Sequence, residues 1–123
     1  MRLFHFTTLA VLALAAPAAA APGDVNAQVF YAKATALKAK GAMALFSGDI
    51  GPMKAQMQDA GNRVRAENIA ARKRGAPLYC APANAKGNVQ FVMDGLAAIP
   101  EARRKQLTLV QAWREVLIAK YPC

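Results

Sequence analysis

Histidine is all but missing from this chain: the only one, His5, lies in an apolar leader at the start of the sequence. Beyond that leader no Ser–His or Cys–His nucleophilic pair can form, and the commonest metal ligand is lacking. Serine occurs once, as Ser47 in Ser47-Gly48-Asp49-Ile50-Gly51, a stretch that reads as a turn rather than as a nucleophile elbow. The two cysteines, Cys80 and Cys123, are too far apart for a closely spaced zinc pattern. Acidic residues number seven, and Asp49, Asp59, Asp94 and Glu101 are scattered as solvated surface groups are, not gathered as an acid/base pair. Gly48, Gly51 and Gly61 fit no phosphate-binding fingerprint. Strand-like alternation and internal repeats are absent. The expectation is a protein without catalytic machinery, cofactor or metal.

What is present starts with the leader itself. Met1-Arg2 supplies a positive start, Leu3 to Ala16 an apolar run, Pro17 a break, and Ala18-Ala19-Ala20 the small residues of a cleavage site. That layout is a secretory signal peptide over residues 1–20, shorter than the ~20 apolar residues of a membrane span. Residues 21–123 then form one domain, periplasmic or secreted. In an oxidising compartment an even cysteine pair is most simply a disulfide, here Cys80–Cys123, with free thiols or an intermolecular bond as the alternatives. Such a bond closes a loop of about 42 residues and pins the last residue of the chain.

After the leader the chain reads as helices punctuated by Gly and Pro: an all-α bundle of about four helices. Asp24 is a good N-cap, and Val25, Val29, Ala32, Ala36, Ala39 and Met43 recur at helical spacing, which predicts a helix to about Phe46. Pro52 opens a second helix with Met53, Met57, Ala60, Val64 and Ala71 on one face, stopped by Gly75. Ala76–Asn88, with Pro77, Pro82 and Gly87, is an irregular loop carrying Cys80. Val89, Val92, Met93 and Leu96 mark a short third helix that Ile99-Pro100 breaks, and Glu101–Gln106 forms one more turn. Thr108-Leu109-Val110-Gln111 has the form of a capping box, opening a last helix with Val110, Trp113, Leu117 and Tyr121.

Charge is the remaining clue. Sixteen basic residues face seven acidic ones, and loss of Arg2 with the leader lowers the net charge from +9 to +8. Arg63, Arg65, Arg72, Lys73 and Arg74 form one cluster and Arg103-Arg104-Lys105 a second. They can complement helix dipoles as solvated faces, or attract acidic proteins or a membrane surface; export argues against nucleic acid. A homodimer is compatible with the same sequence. Exposed loops and charged helix ends commonly meet partners, which selects Arg63, Arg72, Lys73, Arg74 and Tyr79 as candidate contact residues.

The C-terminal half, with Leu78-Tyr79-Cys80-Ala81-Pro82, Ile99-Pro100, Leu107-Thr108-Leu109-Val110-Gln111-Ala112 and Tyr121-Pro122-Cys123, resembles the Rap/Tai-type immunity proteins of type VI secretion systems. The resemblance covers Leu78 to Cys123. It implies a small helical exported protein that binds and inhibits a peptidoglycan amidase effector. The alternative from the charge pattern is an envelope-associated or chaperone-like periplasmic protein that binds anionic groups through basic helix faces.

Overall fold

The computed structural model describes residues 20–123, so the leader read at residues 1–20, with His5, lies outside the described residues save for Ala20. The described chain is all-α. A 3-10 turn, Pro22–Asp24, leads into α1 (Ala27–Ala39), then a 3-10 segment (Gly41–Phe46), α2 (Ile50–Lys73), α3 (Val89–Ala98), the single turn α4 (Glu101–Arg104) and α5 (Leu109–Lys120). Cys80 and Cys123 are joined by a disulfide of 2.08 Å.

Alanine-rich α1 differs from the expectation at both ends. Its N-cap is Asn26, whose side-chain oxygen accepts from Gln28 N and Val29 N, while Asp24 is drawn away to Arg63. At the other end Gly41 adopts φ +57°, a left-handed conformation that L side chains avoid, and α1 stops at Ala39 rather than Phe46. The stripe through Val29 and Met43 is exposed; Ala27 and Phe30 face the core, with Tyr31, Ala34 and Leu37 packed beside them. With alanine at so many positions, two overlapping periodicities fit the sequence equally well, and only the larger side chains distinguish them.

Of the other helices, α3 and α5 begin at residues whose side chains cap them, whereas α2 and α4 have no side-chain cap. Pro52 sits in the first turn of α2, and Met53, Ala60, Val64 and Ala71 are buried. Asn88 caps α3, although Val89 on its expected inner face is exposed. The Thr108–Gln111 capping box closes as expected, with Gln111 N donating to Thr108 Oγ1 at 3.2 Å. Two backbone bonds, Ala27 N to Leu107 O and Leu109 N to Val25 O, clip the starts of α1 and α5 together.

Leu96, Leu109 and Val64 are the largest fully buried side chains, where α2, α3 and α5 meet. All buried residues lie between Gly23 and Val116, so a chain starting at Ala21 keeps the whole described core. The N-terminal turn lies flat on α2 because Gly23 allows it: a Cβ there would stand 2.7 Å from an Asp59 carboxylate oxygen and 2.9 Å from Val110 Cγ2. Gly23→Ala is expected to cost about 1–3 kcal/mol through overpacking, measurable as a lower urea midpoint at unchanged slope.

The second basic cluster is not a surface patch. Arg103 pairs with Glu115 and Lys105 with Glu101, whereas Arg104 is only 7% exposed. Its guanidinium donates to Gln28 Oε1 at 2.7 Å and to the carbonyls of Leu96 and Ile99, and lies 4.2 Å from the Tyr31 ring centre. Those carbonyls end α3, so Arg104 caps that helix while tying α4 to α1. Three further ion pairs involve α2, two of them joining it to other elements. Arg63 holds Asp24 at 2.8 Å and Asp59 at 3.3 Å, and Arg114 of α5 holds Glu67 at 2.7 Å. Arg63, with help from the Ala21 amide, keeps the Asp24 carboxyl below the ordinary range, and Arg114 does the same for Glu67.

Candidate functional site

The loop after α2 has no regular structure, yet it is firmly placed. Asn68, buried in the middle of α2, donates to Tyr79 O at 3.1 Å and accepts from Leu78 N at 2.9 Å and Tyr79 N at 3.3 Å. One amide side chain thus serves three backbone groups that would otherwise be buried without partners. Just beyond, Cys80 N donates to Tyr121 O at 2.8 Å, and the disulfide locks the same point to the end of the chain.

Held in this way, the loop stands off from α2 and leaves a cleft of about 580 Å³, within the ~300–1,000 Å³ range of ligand sites. Its floor is aromatic. Phe91 meets Trp113 edge-on at 5.8 Å and stacks on Tyr121 at 6.3 Å, and Tyr79 completes the surface. Its rim is cationic: Arg65 and Arg72, seven residues and so about two turns apart on α2, and Lys86 from the loop. No carboxylate lines the cleft, and among the described residues these three side chains make neither ion pair nor hydrogen bond. Chemically, cations over an aromatic floor suit an acidic group beside an apolar or ring-shaped one.

Of the residues chosen from sequence, Arg72 lines the cleft and Lys73 and Arg74 are exposed at the end of α2 beyond it. Arg63 lies outside the cleft and is engaged with Asp24 and Asp59 as a structural clamp. Tyr79, 8% exposed, forms part of the floor. Asn68, Lys86 and Phe91 were not among the chosen residues; an asparagine in mid-helix facing a Pro-rich loop is the one signal that could have drawn attention to the clamp.

No family model, curated protein or solved structure matches the chain. The cleft must be read on its own chemistry. Among the described residues no three of His, Cys, Asp and Glu come together as a metal site. The meeting of Asp24 and Asp59 across Arg63 lies outside the cleft, with both carboxylates already bound.

Proposed function

We propose that this chain is an exported, non-catalytic binding protein of the Rap/Tai immunity type, holding an acidic partner protein over the cleft between α2 and the Cys80 loop. The observation that carries this reading is the rim of Arg65, Arg72 and Lys86, free cations over an aromatic floor with no carboxylate among the lining residues. Stable partner sites join a well-packed aromatic centre to a charged edge that selects and steers the partner. The partner class comes from the resemblance of residues 78–123: a peptidoglycan amidase effector delivered by a type VI secretion system. The leader supports export, and the disulfide suits an oxidising compartment.

Calorimetry against candidate amidase effectors tests the proposal. The wild-type protein is expected to bind its cognate effector and block hydrolysis stoichiometrically. Arg65→Glu/Arg72→Glu should weaken binding at least about tenfold, more so at low salt. Both side chains are exposed and unpaired, so the thermal midpoint should stay where it is. Failure of every effector to bind, or full affinity in the charge-reversed variant, would reject the assignment.

A further inference from the structure

A second surface, on the connection between α1 and α2, has no part in the cleft. The 3-10 segment Gly41–Phe46 buries none of its residues, and Met43, Leu45 and Phe46 are 68%, 78% and 85% exposed. Soluble domains scatter single apolar side chains over their surfaces, but three within four consecutive residues, including an aromatic ring, make a patch. None of the five side chains in Gly-Ala-Met-Ala-Leu-Phe can donate a hydrogen bond, and only the Met43 thioether can accept one, weakly. The backbone closes on itself at both ends, Met43 N donating to Lys40 O and Ser47 N to Ala44 O. Those two bonds keep the Met43 and Ser47 amides from entering an apolar medium as free donors.

The charges flanking it in sequence are mostly of one sign. Lys33, Lys38 and Lys40 precede the segment and Lys54 follows it, while Asp49 is the only carboxylate from Val25 to Gln58. Among the described residues Lys33, Lys40 and Lys54 make no ion pair; Lys38 reaches Gln90, whose amide in turn donates to Asp94. We propose that the Met43–Leu45–Phe46 turn, with its lysine collar, is a docking element for an anionic phospholipid surface. The apolar side chains enter the headgroup–acyl boundary while the lysines remain among the headgroups. The turn alone buries too little for permanent anchoring, so attachment is reversible and depends on lipid charge, each lysine contributing roughly fivefold.

Co-sedimentation of the chain starting at Ala21 with vesicles of phosphatidylglycerol and phosphatidylcholine in equal parts tests this, against vesicles of phosphatidylcholine alone. Binding to the anionic vesicles is expected to be at least about tenfold stronger, and to weaken with salt. Leu45→Ser/Phe46→Ser should remove most of it with no loss of fold, because both side chains already face solvent. Lys33→Glu/Lys40→Glu/Lys54→Glu should reduce it to the level seen on phosphatidylcholine, while Arg65→Glu/Arg72→Glu in the cleft should retain it. No binding to anionic vesicles overturns the proposal. So does binding that survives the serine substitutions, or a lipid-independent self-association that they abolish, which would assign the turn to a second copy of this chain.

Discussion

In the double variant Cys80→Ser/Cys123→Ser, the free energy of unfolding is expected to fall by about 4 kcal/mol, the chain-entropy value for a loop of this length. The bridge spans a sequence separation of 43, and the segment it encloses contains α3, α4 and α5. Domains of this size are held by roughly 5–15 kcal/mol in total, so the variant approaches the limit of stability. Urea denaturation with and without a reductant measures the effect. The cleft should fail before the fold does. Cys80 N and Tyr121 O meet beside the bridge, and Tyr121 stacks on Phe91 in the floor. Without the bridge, the loop wall and the end of α5 can separate while α2 and the rest of α5 remain packed. A change in Trp113 fluorescence at urea concentrations below the main transition would report that first step. An unchanged midpoint under reductant would contradict the expectation.

Arg104→Met is expected to cost about 3 kcal/mol, the sum of buried acceptors left without donors and a lost cation–π contact. Methionine replaces the apolar stem, so packing is largely kept and the loss isolates the guanidinium. The Ile99 carbonyl and the side-chain oxygen of Gln28 lose their donor in one change, and the Leu96 carbonyl is left with the Ile99 amide alone. Arg104→Lys should recover only part of the loss, because an ammonium cannot reproduce the planar fork that reaches three acceptors at once. The neighbouring Arg103→Met and Lys105→Met are the controls; both side chains are exposed, and each should cost well under 1 kcal/mol. Denaturation midpoints of the four variants settle the comparison.

Most of the fold was legible where local chemistry is decisive. Pro52, Gly75, the Asn88 boundary and the Thr108–Gln111 box each act within one turn of the backbone, and the structure places helix ends at or beside them. The cysteine pair was equally plain. Legibility failed where the deciding partner is distant in sequence. Asp24 has the chemistry of an N-cap, but Arg63 lies 39 residues away and captures it. Arg104 sits in a basic triplet that reads as surface, and nothing nearby announces that α1 and the end of α3 enclose it. The cleft was half visible. The basic end of α2 and the Cys80 loop were identified as a contact region, yet Asn68 turns Tyr79 inward and Phe91 comes from a helix read only as core.

The two ways in which this protein holds its arginines decide which of its ties acid can loosen. Arg63 and Arg114 depend on carboxylates, and the stability that Asp24 and Glu67 lend is complete at neutral pH, then lost as pH falls through their lowered values. Arg104 depends on carbonyls and an amide, which acid does not protonate in this range. Acidification therefore loosens the ties of α2 to the N-terminal turn at Asp24 and to α5 at Glu67, while the apolar seam of Ala60 and Val64 against Leu109 and Ala112 is untouched. The bonds by which Arg104 joins α1, α3 and α4 involve no carboxylate, so that corner does not share in the loss.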